Sequence, residues 1–222
     1  MIKPIYTMRA AEVGPRLYSA VKEAVQVFLT ETEFQNDIEV YDFGAWRDPG
    51  YILNGVYQKY KSIDWYLLAT KHFSEREDQF DAGILLNLCL VEPWQIDHPH
   101  YEAIVVADDL YHGQTNFIVG LSGLGLGMVV SAYRFMGLSE KERIECLKTV
   151  ALHELGHVFG AVRPGKTQNV EESLGSHCTN VCVMRQGLVV PGDWLKITAD
   201  RLRTGRAFCE ECLLSMREGL KI

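Results

Sequence analysis

The sequence predicts an α/β protein in which short strands and helices precede one long helix. Helical periodicity follows Pro15, where apolar residues recur every three or four positions. A longer helix begins at Ser139, because Ser139 and Glu142 form a capping-box pattern ahead of an apolar stretch. Several short apolar segments bounded by turn residues lie between these two helices. This order is typical of a sheet layered against helices.

The individual elements follow from periodicity and turn residues. Asp48 is suited to cap a second helix with Pro49 in its first turn, and the apolar face of this helix would include Ile52, Val56 and Tyr60. The long helix is predicted over 139–160. The chain beyond Gly160 is rich in glycine, cysteine and polar residues, so we predict no long helix there. Strands are predicted at 38–43, 64–69, 84–91, 104–107, 116–119 and 128–132.

Composition narrows the class of protein. The 222 residues are 47% apolar, which is enough for a hydrophobic core, and the net charge of −7 gives no electrostatic footprint for nucleic acid or an anionic membrane. No apolar run is long enough to span a bilayer, and the first residues do not resemble a signal peptide. We therefore expect a cytoplasmic protein with no nucleic-acid or membrane partner.

The pattern most specific for chemistry is His153-Glu154-Leu155-Gly156-His157 on the long helix. Residues four apart lie on one helix face, so His153 and His157 can bind a single Zn²⁺. Glu154 is rotated by about 100° from His153 in an α-helix, beside the open side of the metal. We expect Glu154 to act as the general base toward a zinc-activated water.

A catalytic zinc needs a third protein ligand while one position stays open. In the extended motif HExxHxxGxxH a third histidine occupies the position of Arg163, which cannot bind metal. Residues 163–176 then form an insertion, expected to be a solvated and mobile loop, before His177. We favour His177 as the third ligand because the adjacent Cys178 would hold it in place. The alternatives are Asp193, Glu171 and Glu172.

Four cysteines near the end of the chain form two closely spaced pairs. A protein of a reducing compartment uses such pairs for metal more often than for disulfides. The chain around them is poor in apolar residues, and a bound zinc can supply the missing folding free energy. We therefore predict a structural zinc site at Cys178, Cys182, Cys209 and Cys212.

The segments HELGHVFG, HCTNVCVM and FCEEC together resemble the signature of the archaemetzincins, a branch of the metzincin zinc peptidases. The resemblance covers residues 104–213 and departs from the family in the insertion and in the spacing of the cysteines. It implies two zinc ions per chain and a metzincin-like fold, with a twisted mixed sheet and flanking helices. It also implies that Met184 is the Met-turn methionine beneath the catalytic site.

The resemblance further implies one catalytic domain over 1–222. Residues 1–160 would form a sheet and helix subdomain ending in the active-site helix, and 161–222 a small zinc-stabilised subdomain. The expected function is zinc-dependent hydrolysis of peptide bonds in a peptide or protein substrate. The alternative is a zinc-stabilised peptide-binding module with an inactive site, which the substitution at Arg163 and the insertion would favour.

Overall fold

The computed structural model of the chain describes residues 2–45, 51–53, 56–58, 62–163 and 168–220. No helix in this part of the chain is long and apolar enough to cross a membrane. The helices are α1 (Pro15–Thr32), α2 (Ile63–Lys71), α3 (Ala82–Leu90), α4 (Pro93–Asp97), α5 (Glu140–Val158), α6 (Gly192–Thr204) and α7 (Glu210–Leu220). The strands are β1 (Ile5–Arg9), β2 (Val40–Gly44), β3 (Tyr51–Leu53), β4 (Val56–Gln58), β5 (Phe80–Asp81), β6 (Tyr101–Val106), β7 (Leu110–Tyr111), β8 (Gly120–Gly123), β9 (Gly127–Ser131), β10 (Val170–Glu172) and β11 (Ser176–Cys178).

The main sheet is a twisted, mostly parallel sheet with the strand order β2-β1-β6-β9-β8. The strands β2, β1, β6 and β9 pair in parallel, whereas β8 pairs antiparallel with β9 and forms one edge. Every residue of β6 and of β9 is buried, as expected for central strands covered on both faces. The mixed sheet with flanking helices that the sequence predicts is confirmed.

Helix α5 is defined by local signals at both ends. At its start the Ser139 side chain accepts the Glu142 N–H, and the Glu142 carboxylate accepts the Ser139 N–H, so the predicted capping box is present. At its end Gly160 adopts a left-handed conformation with φ of 74°. The Ala161 N–H donates to the Gly156 carbonyl and the Gly160 N–H to the His157 carbonyl, a Schellman motif. The chain therefore turns sharply away just after the histidine pair.

One hydrophobic core joins the first helix to the active-site helix and to the C-terminal segment. Phe28 of α1 is fully buried, and its ring lies 4.7 Å from that of Phe159 and 6.1 Å from that of Phe208. The Glu31 carboxylate accepts the backbone N–H groups of Ala207 (2.8 Å) and Phe208 (3.1 Å). Helix α1 thus anchors the chain immediately before the last cysteine pair.

Several predicted elements are confirmed. Helix α1 begins at Pro15, and strands β6 and β9 cover most of the predicted segments 104–107 and 128–132. Strand β2 corresponds to the predicted strand at 38–43, displaced by two residues at its start. Strand β1, which lies between two other parallel strands of the main sheet, was not predicted.

The predicted strands at 64–69 and 84–91 are wrong, because both segments are helices. The Ser62 side chain caps α2 by accepting the Trp65 N–H, and Asp81 caps α3 by accepting the N–H groups of Gly83 and Ile84. A short apolar run has no periodicity that separates a buried strand from a buried helix, so these caps decide between the two.

Three further predictions are corrected. The second predicted helix is wrong where the structure describes it, because Tyr51–Leu53 and Val56–Gln58 form the antiparallel pair β3–β4, and its proposed cap, Asp48 with Pro49, lies outside the described residues. The predicted strand at 116–119 is confined to an isolated bridge between Ile118 and Leu110, and the edge strand β8 begins at Gly120. The chain after Gly160 contains the helices α6 and α7, where no long helix was predicted.

The position of Phe28 predicts its effect on stability. Phe28→Ala removes a fully buried ring shared by three parts of the chain, so the free energy of unfolding should fall by about 3–5 kcal/mol. Urea denaturation of the zinc-loaded protein measures the change, and Phe28→Leu gives a milder version. Leu68→Ala is the control, because Leu68 is 64% exposed and should change stability by less than about 0.5 kcal/mol. Equal effects of Phe28→Ala and Leu68→Ala would contradict this description of the core.

Candidate metal centres

The structure brings three histidines together at the end of α5. His153 and His157 lie one helical turn apart, and their Nε2 atoms are 3.1 Å from each other. His177 reaches them from β11, with its ring 5.2 Å from each of the other two rings. One nitrogen from each histidine lies within 4.8 Å of the others, a cluster compact enough to hold a metal ion.

Backbone carbonyls orient two of these imidazoles. His153 Nδ1 lies 2.7 Å from the Val183 carbonyl oxygen, and His177 Nδ1 lies 3.1 Å from the Gly175 carbonyl oxygen. A carbonyl can only accept, so each Nδ1 carries the proton and donates it. The Nε2 lone pairs of His153 and His177 are therefore available for a metal, as in protein zinc sites whose ligands are oriented by an outer hydrogen bond.

Burial keeps the three imidazoles neutral. Desolvation lowers the pKa of His153 well below its ordinary value, and the neighbouring histidines lower it further. Desolvation, with the proximity of His177, lowers the pKa of His157 to about 4, and burial also lowers the pKa of His177. Metal ligation requires the neutral imidazole, so protons compete weakly for this site at neutral pH.

The Glu154 carboxylate lies against the edge strand β8 and lines the same cleft as the three histidines. Its side chain is buried, and its Oε2 accepts a hydrogen bond of 2.6 Å from the Ser122 hydroxyl. Desolvation raises the pKa of Glu154 to about 7, although the hydrogen bond from Ser122 opposes the shift. A carboxyl group with a pKa near neutrality can both take up and release a proton at neutral pH.

A methionine lies directly beneath the histidine helix. Met184 is fully buried, and a Cβ added to Gly156 would overlap its Sδ atom. The Met184 carbonyl accepts the Cys178 N–H (2.8 Å), and the Val183 N–H donates to Ala207 (2.8 Å). The turn around Met184 therefore connects the histidine cluster with the cysteine cluster, in the place expected for Met184 from the sequence.

The four predicted cysteines also come together. Their Sγ atoms all lie within 4.8 Å of one another, and Cys178 Sγ is 3.7 Å from Cys209 Sγ. Hydrogen bonds from the neighbouring thiols lower the pKa of Cys209, while the same neighbours raise the pKa of Cys182 and of Cys212. Crowded thiolates repel one another, so all four ionise together only around a cation. Zinc is the common metal for such a set of four thiolates.

The histidine cluster opens into a cleft of about 900 Å³. It is lined by β8 and the chain before it, by residues 186–188, and by Val190 and Trp194. Its lining is largely apolar, and Trp194 packs edge-on against His153 with ring centroids 5.2 Å apart. A cleft of this volume can hold a short peptide segment.

The structure distinguishes between the candidates for the third ligand. Glu171 and Glu172 lie on β10, where the Glu172 carboxylate accepts the Ser176 hydroxyl (2.8 Å). Asp193 accepts the Val189 N–H (2.9 Å) at the start of α6. Among the described residues, only His177 forms a compact potential metal-binding group with His153 and His157.

The insertion contains an antiparallel hairpin where the sequence predicted a loop, but its described residues are exposed or half-buried, as expected for a solvated segment. Residues Val170–Glu172 and Ser176–Cys178 form an antiparallel hairpin, β10–β11, that carries His177 back to the helix. Residues 164–167, which include Pro164 and Gly165, lie outside the described residues. Arg163 lines the cleft, and its side chain packs close to Gly160 and Gly219.

Two partners of the site were missed from the sequence. Ser122 carries no recognisable signal, because it lies in a glycine-rich segment that reads as a hairpin loop. Trp194 lies in α6, a helix that was not predicted. Its apolar positions Trp194 and Ile197, both buried, are spaced as on one helix face and could have indicated this helix.

The chain is similar in sequence to an archaemetzincin. The chain is 34% identical over 127 residues to the archaemetzincin of Nanoarchaeum equitans (strain Kin4-M). The aligned region comprises 57% of this chain and 59% of that relative. No protein-family model matches the sequence.

Solved structures extend the similarity to the whole fold. The crystal structure of archaemetzincin from Methanopyrus kandleri is 20% identical, with a TM-score of 0.63, and the match covers 100% of this chain and 97% of that one. Archaemetzincin from Archaeoglobus fulgidus, complexed with malonate, is 21% identical with a TM-score of 0.55, covering 96% and 99%. A zinc-dependent peptidase from Methanocorpusculum labreanum (strain Z) is 18% identical with a TM-score of 0.50, covering 96% and 99%. The predicted resemblance to the archaemetzincins is confirmed, and the chain has their fold.

The contact between Gly156 and Met184 predicts that a glycine-to-alanine substitution in this helix will destabilise the protein. Glycine to alanine inside a helix normally stabilises by up to about 1 kcal/mol. Gly156→Ala should instead lower the free energy of unfolding by about 1–2 kcal/mol, because the new methyl group overlaps Met184 Sδ. Urea denaturation of the zinc-loaded protein measures whether the free energy of unfolding falls or rises.

Gly192→Ala is the matched control for Gly156→Ala. A Cβ added to Gly192 meets its nearest neighbour, Val189 Cγ1, at an ordinary contact distance of 3.6 Å. This variant should be neutral or slightly stabilised. A stabilising effect of Gly156→Ala would show that Met184 does not pack against this face of the helix.

Proposed function

We propose that this chain is a zinc-dependent peptidase of the archaemetzincin family. The observation that carries the proposal is the joint placement of three neutral imidazoles and one buried carboxylate, Glu154, in one cleft. The similarity to archaemetzincins supports the same activity. A peptide or protein is the proposed substrate.

The donor set fits zinc at both clusters. His153, His157 and His177 offer three neutral nitrogens, which is the ligand number of catalytic zinc sites that keep a fourth position open. Cys178, Cys182, Cys209 and Cys212 offer four sulfurs, which is typical of a closed structural site. When bound by the histidines, zinc supplies a Lewis acid that acidifies water and polarises a carbonyl group.

Glu154 is the proposed general base. It takes a proton from the attacking water at a carboxylate oxygen and then gives that proton to the departing amine nitrogen. Its buried position raises its pKa to about 7, which suits both transfers. The hydrogen bond from Ser122 holds Oε2 on the side of the cleft formed by β8.

The cleft geometry supports a peptide as substrate. Strand β8 is an edge of the main sheet and lines the cleft beside the histidines. An extended peptide can pair with such an edge by main-chain hydrogen bonds. The largely apolar lining of the cleft can then receive side chains of the peptide.

We also propose that residues 1–222 act as one catalytic domain, with 1–160 and 161–222 as its two subdomains. Its support is the common hydrophobic core, which contains Phe28 and Phe159 together with Phe208. The free thiols that the cysteine cluster needs for metal would persist in a reducing compartment, so the proposed location is cytoplasmic.

The alternative of an inactive peptide-binding module has less support. It was favoured because Arg163 stands where the extended motif has a histidine. The hairpin β10–β11, however, brings His177 to the cluster. A pure binding module also has no need for a buried carboxylate beside the metal position. Measurement of turnover separates the two functions.

The two clusters predict two zinc ions per chain with independent ligands. His177→Ala should retain one zinc per chain, and the double variant Cys209→Ser with Cys212→Ser should lose the other zinc and much of its stability. Elemental analysis counts the ions, and X-ray absorption at the zinc edge separates nitrogen from sulfur ligation. Glu172→Gln is the control and should keep both ions. One zinc in the unmodified protein, or two in His177→Ala, would contradict the assignment.

Glu154 should affect turnover without affecting metal binding. Glu154→Ala should lower kcat by about 10²–10⁴-fold while both zinc ions remain, since the range is that of a lost general base. The assay is hydrolysis of a quenched peptide library by zinc-loaded protein. Parallel loss of zinc and activity would place Glu154 among the ligands, and undiminished activity would exclude it as the base.

A further inference from the structure

Two residues of β8 determine where the Glu154 carboxylate lies. Side chains alternate along a strand, so Gly120 and Ser122 face the same side of β8, the side that packs on α5. The Ser122 hydroxyl donates to Glu154 Oε2 at 2.6 Å. At Gly120, an added Cβ would come within 2.6 Å of Glu154 Oε1. One oxygen is therefore held by a hydrogen bond and the other occupies the space above a glycine.

The hydrogen bond is of the strong type. A hydroxyl that donates to a carboxylate at this distance forms a charge-assisted bond, and both groups are partly or fully removed from solvent. Ser122 is itself held by the sheet, because it lies opposite Met128 in the β8–β9 ladder. The position of the carboxylate is therefore fixed relative to strand β8 by the Ser122 hydroxyl.

The same strand is the edge available for a peptide. Both Gly120 and Ser122 line the cleft, and β8 has a neighbour in the main sheet on one side only. A peptide that pairs with β8 would be held by its backbone, while the Ser122 side chain contacts Glu154. Binding of substrate and placement of the carboxylate would then depend on the same four-residue strand.

We propose that Ser122 is a positioning residue that holds Glu154 in register with a peptide bound along β8. This role rests on the proposed peptidase function. Ser122 contacts the Glu154 carboxylate, so in this proposal it acts on the reaction only by positioning Glu154. Its loss leaves the strand backbone intact, so substrate binding is retained while the carboxylate loses its fixed position.

The test is a comparison of Ser122→Ala with Ser122→Thr. Ser122→Ala should lower kcat by about 10-fold, in line with the loss of a hydrogen bond to a charged group, with KM changed by less than about 2-fold. Ser122→Thr keeps the hydroxyl and should recover kcat to within about 3-fold of the unmodified enzyme. Zinc content, measured by elemental analysis, should be the same in all three proteins.

Ser19→Ala is the matched control. Ser19 also contacts a glutamate, Glu23 at 3.5 Å, but on the surface of α1. This variant should leave kcat and KM unchanged. Normal kcat in Ser122→Ala, or failure of Ser122→Thr to recover it, would overturn the role of Ser122 while the Glu154 result still supports the peptidase. A zinc-loaded unmodified protein without turnover would overturn both.

Discussion

The sharp end of α5 is the constraint on which the site depends. His153 and His157 can bind the same metal ion because they lie on one face of the helix. The third ligand nitrogen must then come from another part of the chain. Helix α5 ends at Val158, and the Schellman motif with Gly160 turns the chain away from the helix axis just after His157. The hairpin β10–β11 uses this freedom to return His177 to the pair. A helix that continued past Gly160 would carry the following residues away from the cleft.

The two potential metal centres share their support. His177 and Cys178 are adjacent on β11, so one strand end contributes to both clusters. The Val183 carbonyl accepts from His153, while Cys182 beside it belongs to the cysteine cluster. Residues of the cysteine cluster therefore lie directly beside His177 and beside the carbonyl group that orients His153.

Burial shifts the pKa values of the histidines and of Glu154 in opposite directions. It lowers the pKa of the histidines, which keeps them neutral and able to bind a metal, and it raises the pKa of Glu154 toward neutrality. Both shifts have desolvation as their largest cause, because a low-dielectric environment disfavours the charged form of either group. The hydrogen bond from Ser122 to Glu154 partly offsets this cost for the carboxylate.

The sequence by itself determined whatever depends on residues close together in the chain. The capping box at Ser139, the histidines one turn apart and the closely spaced cysteines are local patterns with local consequences. They predicted α5, both clusters and the α/β class.

The tertiary structure decided what local patterns leave open. The apolar segment at 84–91 is helical because Asp81 caps it, and His177 lies near the other two histidines because the hairpin β10–β11 pairs. Ser122 meets Glu154 only because β8 forms the edge of the sheet against α5, a contact between residues 32 positions apart. Such contacts depend on which strands become neighbours, and a one-dimensional pattern does not encode that order directly.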